Sequence, residues 1–94
     1  MRVGVFDSGV GGLTVLSKLA SKYPKNDYIY FGDTINIPYG EKDIDTLFNL
    51  SSKIIEYLIS KKVELIVIAC GTVSSNCYEK LKRITKILYN IIYL

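Results

Sequence analysis

Residues 65–69 (Leu-Ile-Val-Ile-Ala) form an unbroken apolar run rich in β-branched side chains, and the run empties directly into Cys70-Gly71-Thr72. It is far too short to cross a membrane, and it has no polar residue at alternate positions to face water. Such a run predicts a strand buried on both faces, the situation of strands in parallel sheets that helices cover on each side. We draw this strand over residues 63–69. Two other segments repeat the pattern of an apolar strand stopped by a polar, glycine-containing turn. Residues 2–6 (Arg-Val-Gly-Val-Phe) run into Asp7-Ser8-Gly9-Val10-Gly11-Gly12, and residues 27–31 (Asp-Tyr-Ile-Tyr-Phe) run into Gly32-Asp33-Thr34.

Helical periodicity fills the intervals. A first helix is expected from Leu13, with Leu13, Leu16, Leu19 and Ala20 on one face and Pro24 ending it. A long second helix is expected from Lys42 or Asp43 to Lys61, covering the sheet with Ile44, Leu47, Phe48, Ile55, Leu58 and Ile59. A third is expected to start near Val73 or Ser74, with Ser74 as its N-cap. The alternation βαβαβα predicts an α/β fold: three layers, αβα, around a parallel sheet with right-handed crossovers. Residues 84–94 read either as an extension of the last helix or as a fourth strand. They close on Ile-Ile-Tyr-Leu with no polar cap, so residues 1–94 are expected to be one α/β lobe that is incomplete.

Composition removes several function classes. Apolar residues make up 49% of the 94 and charged residues 22%, as in globular chains. The net charge of +3 is spread without a compact basic run, so no nucleic-acid partner is expected. The chain has no histidine, which excludes Ser-His and Cys-His triads and most zinc sites. Cys70 and Cys77 have six residues between them, which is neither a metal-knuckle spacing nor a Cys-x-x-Cys redox pair. No metal and no cofactor are expected. Two thiols without a secretory signal or a membrane-length apolar stretch place the expected location in the cytoplasm, off the membrane.

Three constellations fall where chemistry is found in such sheets, just beyond the carboxyl ends of the strands. The glycine-rich turn after the first strand presents backbone N–H groups to an anion and adds the Ser8 hydroxyl, or it is a tight turn capped by Asp7. It is no dinucleotide fingerprint, since Thr14 stands where the third glycine would fall. The second is Gly32-Asp33-Thr34 with Pro38-Tyr39-Gly40, a loop polar at its start and pinned by proline, with Tyr39 offering a hydroxyl to a ligand or packing on the sheet edge. In the third, a thiol just before a helix N-terminus is favoured as thiolate, and Thr72 is placed to bond a carboxylate. Cys77 reads as a packing thiol.

In content and order these blocks resemble the aspartate/glutamate racemase family, and glutamate racemase in particular. The residues that carry the likeness are Val3-Gly4-Val5-Phe6-Asp7-Ser8-Gly9-Val10-Gly11-Gly12-Leu13-Thr14-Val15, Tyr30-Phe31-Gly32-Asp33-Thr34 with Pro38-Tyr39-Gly40, and Ile68-Ala69-Cys70-Gly71-Thr72. The resemblance implies the first lobe of a two-lobed fold. It also implies a cofactor-independent interconversion of L- and D-glutamate, supplying D-glutamate for peptidoglycan. In that family two cysteines face opposite sides of the α-carbon, one taking a proton as thiolate and the other giving one as thiol. Carried over, Cys70 is the acid/base on one face, and Asp7 tunes that thiol or contacts the ammonium. Ser8, Pro38, Tyr39, Gly40, Gly71 and Thr72 then hold the substrate.

Two departures stand out. Gly71 replaces the family's usual asparagine, and the family's second cysteine belongs to a second lobe that lies beyond Leu94. The expectation is a chain that does not racemise glutamate alone. A non-catalytic anion-binding or interaction module derived from the lobe is the competing reading, and aspartate is the competing substrate. The apolar end leaves a homo-oligomer open.

Overall fold

The computed structural model describes residues 1–9 and 12–90. Its four strands are β1 (Arg2–Asp7), β2 (Asp27–Gly32), β3 (Leu65–Ile68) and β4 (Leu88–Asn90), and they pair in the order β2-β1-β3-β4. Every pairing is parallel. β1 runs in register with β2 from Arg2 opposite Asp27 to Asp7 opposite Gly32, and with β3 from Val3 opposite Leu65 to Phe6 opposite Ile68. β4 extends the sheet beside β3, placing Leu88 opposite Ile66. Of the two readings of the tail, the strand is the one realised. The apolar close at residues 91–94 lies outside the described residues, as do Val10 and Gly11 of the glycine turn.

The helices are α1 (Gly12–Lys22), α2 (Ile44–Ser60), α3 (Gly71–Asn76) and α4 (Tyr78–Lys82), with a 3-10 turn at Tyr39–Glu41. The chain moves one way from β1 to β2 and the other way from β2 across to β3. Right-handed crossovers therefore put α1 and α2 on opposite faces. Side-chain parity agrees. Val3, Val5, Val67 and Ala69 meet Val15, Leu16 and Leu19 of α1. Phe6, Ile66 and Ile68 meet Leu47, Ile54, Ile55 and Leu58 of α2, together with Val73 of α3 and Leu81 of α4. The strand expected from the apolar run is thus buried from both sides, in a three-layer αβα lobe. Among the described residues no helix is long and apolar enough to cross a membrane.

The sequence-based expectations need correction in three places. Leu13 is 64% exposed, because the face of α1 that meets the sheet is made by Val15, Leu16 and Leu19. In α2 the buried positions are Leu47, Ser51, Ile54, Ile55 and Leu58. Ile44 is exposed in the first turn, and Ile59 is exposed because it lies one residue, about 100° of helix, beyond Leu58. The third helix begins at Gly71, with Cys70 in the cap position and no side chain bonding the first turn. Ser74 sits a turn inside, buried, its N–H donating to the Cys70 carbonyl at 2.9 Å. The helix also breaks at Cys77, where φ −125° and ψ −5° separate α3 from α4. Asp43 does cap α2, its carboxylate accepting the Thr46 N–H at 2.7 Å.

Leu58 is 0% exposed at the centre of the α2-side core. Leu58→Ala is expected to lower stability by about 3 kcal/mol through lost burial and the cavity left behind. Leu13→Ala, on the exposed first turn, is expected to stay within about 0.5 kcal/mol of the parent. Urea denaturation of both variants checks the assignment of the two leucines.

Candidate active site

β1 and β3 are neighbours, yet α1 leaves β1 over one face and α3 leaves β3 over the other. The two connections diverge and open a crevice beyond the carboxyl ends of the strands, the topological switch point of an open parallel sheet. Backbone pairing runs right up to it. The Ala69 N–H donates to the Phe6 carbonyl at 2.7 Å, so Asp7 and Cys70 each follow the last bond between their strands. The Asp33 N–H donates to the Asp7 carbonyl at 3.0 Å and brings the end of β2 to the same rim. Asp7, Asp33 and Cys70 are thereby placed by main-chain bonds rather than by loop conformation.

Asp7 is 0% exposed. Its Oδ2 accepts the Gly12 N–H at 2.8 Å and the Tyr30 hydroxyl at 3.4 Å. Its Oδ1 is buried and has no hydrogen-bond partner among the described residues. A buried carboxylate oxygen without a donor costs about 1–3 kcal/mol, so it presents a strong acceptor to any N–H or cation entering the crevice. Two glycines make this geometry possible. A Cβ on Gly12 would fall 2.4 Å from the Asp7 Cβ, so only glycine lets α1 start against the carboxylate. Gly9 has φ +96°, and a Cβ there would lie 2.7 Å from Cγ2 of Thr34.

The second loop is organised by Asp33. Its Oδ2 accepts the Tyr39 hydroxyl at 2.6 Å, and Asn36 donates from its side-chain amide to both carboxylate oxygens at 3.1 and 2.9 Å. Burial pushes the Asp33 carboxyl up, but the bonds from Tyr39 and Asn36 outweigh it and hold the group below its ordinary value. Tyr39 is 2% exposed and packs edge-to-face on Phe6, with centroids 6.4 Å apart. Burial raises its phenol far above the usual range, the Asp33 carboxylate raises it further, and Cys70 and Asp7 add smaller pushes in the same direction. Tyr39 is therefore a neutral donor whose proton goes to Asp33, while its ring packs on Phe6. Pro38, reached through a cis peptide bond from Ile37, is exposed, as is Gly40.

Cys70 is 4% exposed and joins the α2-side core beside Tyr39 and Val73. Gly71 is exposed as the first residue of α3, and a Cβ there meets nothing within 4 Å, so a side chain at this position is sterically free. Thr72 and Ser8 are half-buried at the rim. Cys77 is buried elsewhere in the α2-side core, its Sγ 3.9 Å from the Ile44 carbonyl, and burial pushes its thiol up. Among the described residues no group of three His, Cys, Asp or Glu side chains could hold a metal ion.

The structure thus gathers Asp7, Cys70 and Tyr39 at one end of the sheet, with Ser8, Pro38, Gly40, Gly71 and Thr72 on the flanking connections. Asp33 belongs to a constellation the sequence singles out, but its bonds to Tyr39 and Asn36, and the approach of Tyr30 to Asp7, are not read from the residues. The spacing of Asp33 and Asn36, that of an aspartate bonding a turn a few residues on, is the available signal.

The same frame occurs in solved structures. Glutamate racemase from Aquifex pyrophilus superposes with a TM-score of 0.93 at 41% identity, over 99% of this chain and 37% of that one. In sequence, the glutamate racemase of that organism is 46% identical over 83 residues, 88% of this chain and 33% of the relative. The enzyme of Halothermothrix orenii is 45% identical over 82 residues, covering 87% of this chain and 32% of its own. Glutamate racemase from Francisella tularensis, in complex with D-glutamate, matches with a TM-score of 0.90 at 40% identity, over 98% of this chain and 36% of that one. The chain spans about a third of the length of the curated racemases it matches. No protein-family model matches it.

The lowered Asp33 carboxyl carries a pH signature. In the unfolded chain Asp33 takes a proton near pH 3.8, and in the folded chain only at lower pH. Between those values the unfolded state binds more protons, so stability falls as pH drops. Asp43, lowered by its bonds to Thr46, contributes in the same window. Asp33→Asn is expected to flatten, without abolishing, the fall in urea midpoint between pH 6 and pH 3. An equally steep fall in the variant would show that the Asp33 bonds do not couple to folding.

Proposed function

We propose that this chain supplies one wall of a glutamate racemase active site, with Cys70 as the acid/base on one face of the substrate α-carbon. The observation that carries the reading is the placement of Asp7 at, and Cys70 just beyond, adjacent strand ends at the switch point, with Asp7 Oδ1 buried and without a partner among the described residues. Its support is the likeness of the whole lobe to glutamate racemases.

In the forward step the Cys70 thiolate forms an S–H bond to the α-proton, and the C–H electron pair is left on the α-carbon, delocalised into the α-carboxylate. A thiol on the opposite face donates its proton to that carbon and becomes a thiolate, which inverts the centre. No redox or covalent step is needed, so the reaction requires no cofactor. Asp7 Oδ1 accepts from the substrate ammonium or orients the Cys70 thiol. Ser8, Gly71, Thr72 and the backbone donors of the connections bind the carboxylates where charge builds in the transition state. Pro38, Tyr39 and Gly40 form the side wall. Gly71, in place of a side-chain amide, leaves a backbone donor and open space.

Cys77 does not serve as the second thiol, because it is packed in the same core as Cys70 on the α2 side. The opposing acid/base comes from a second lobe, in keeping with relatives about three times as long. The product, D-glutamate, feeds peptidoglycan synthesis in the cytoplasm.

Incubated with L-glutamate, the 94-residue chain alone is expected to form no D-glutamate detectable by chiral chromatography. Combined with the remaining two-thirds of a homologous racemase, it is expected to restore racemisation, and Cys70→Ala is expected to reduce that rate by roughly 10²- to 10⁴-fold. Restored activity that ignores Cys70→Ala would overturn the catalytic assignment. Glutamate binding without any racemisation would favour the non-catalytic module.

A further inference from the structure

We propose that Asp33 is a positioning residue of this site: by accepting the Tyr39 hydroxyl it clamps the turn that closes over Cys70. The proposal rests on reading Cys70 as the acid/base group, and it adds a residue that this reading does not require.

The chain of contacts is short. The Asp33 main chain is tied to the end of β1 by its N–H bond to the Asp7 carbonyl, so its side chain starts from a fixed point. The carboxylate then receives the Tyr39 hydroxyl at 2.6 Å, a charge-assisted bond of the short, strong kind. Asn36 donates three times, from its N–H at 3.3 Å and its amide at 3.1 and 2.9 Å, which holds the carboxylate in one orientation. The Tyr39 ring rests on Phe6 of β1. Its 3-10 turn is closed by the Lys42 N–H donating to the Tyr39 carbonyl at 3.1 Å, and this turn packs on α3, which begins immediately after Cys70. Asp33 is thus connected to the thiol through one phenol and one turn.

This arrangement has a cost that only a positional role offsets. Asp33 and Tyr39 are both buried, and an apolar pair would serve packing alone. A hydroxyl bonded to a carboxylate fixes the turn to one geometry, which apolar packing does not. The arrangement also makes Tyr39 an acceptor toward the crevice, since its only proton is committed to Asp33.

The test is site-resolved alkylation of the folded chain by iodoacetamide, with Cys70 and Cys77 quantified separately by peptide mass spectrometry. Tyr39→Phe keeps the ring on Phe6 and deletes the hydroxyl. It is expected to raise the Cys70 rate about fivefold while leaving Cys77 unchanged. Asp33→Ala is expected to do the same, and the double variant to go no further than the larger single effect. Asp33→Asn retains an acceptor and is expected to return the Cys70 rate to within about twofold of the parent. An unchanged Cys70 rate in Tyr39→Phe would overturn the proposal even if Asp33→Ala fails to fold. So would effects that multiply in the double variant, or a parallel rise at Cys77, which marks general loosening. Neither readout involves glutamate, so the racemase reading stands or falls separately on the reconstitution assay.

Discussion

β1 bonds along both of its edges, to β2 over Arg2–Asp7 and to β3 from Val3 to Phe6, and α1 and α2 cover its two faces. Parallel strands fully buried in this way leave no backbone group to water, so their register is held by every bond in the ladder and by packing on both sides. A one-residue slip of β1 would turn Phe6 toward α1 and Val5 toward α2, emptying both cores together. Because that register is fixed, the residues just beyond it are fixed too. Asp7, Asp33 and Cys70 come to one rim because three ladders end there.

At the rim the protein buries two carboxylates and gives each specific donors. Asp33 takes bonds from Tyr39 and Asn36, while Asp7 takes bonds from Gly12 and Tyr30 on one oxygen only. The difference is informative. Asp33 is satisfied on both oxygens and serves the architecture, whereas Asp7 has a buried oxygen without a donor among the described residues.

Much of this was legible in the residues. The apolar run at 65–69, the glycine turn after Phe6 and the periodicity of residues 44–58 were enough to read strands, helices and a parallel three-layer arrangement. The strand ends picked out Asp7 and Cys70. What escaped was phase and partnership. Leu13 and Ile44 fit the helical stripes but lie exposed in the first turns of their helices, and the third helix starts at Gly71 because Cys70 takes the cap position. Propensity cannot see either effect, since both depend on where a helix docks.

The sequence by itself determined the order of elements, the two-sided burial of the central strands and which residues stand at their ends. These are local properties, set by side-chain period and by turns that only glycine can make. Only the tertiary structure decided that the tail adds a fourth strand, that Tyr39 gives its proton to Asp33, and that Asp7 is buried with no donor on Oδ1 among the described residues. Each depends on how strands and loops pack, and it takes shape only once the parallel ladder has brought the strand ends together.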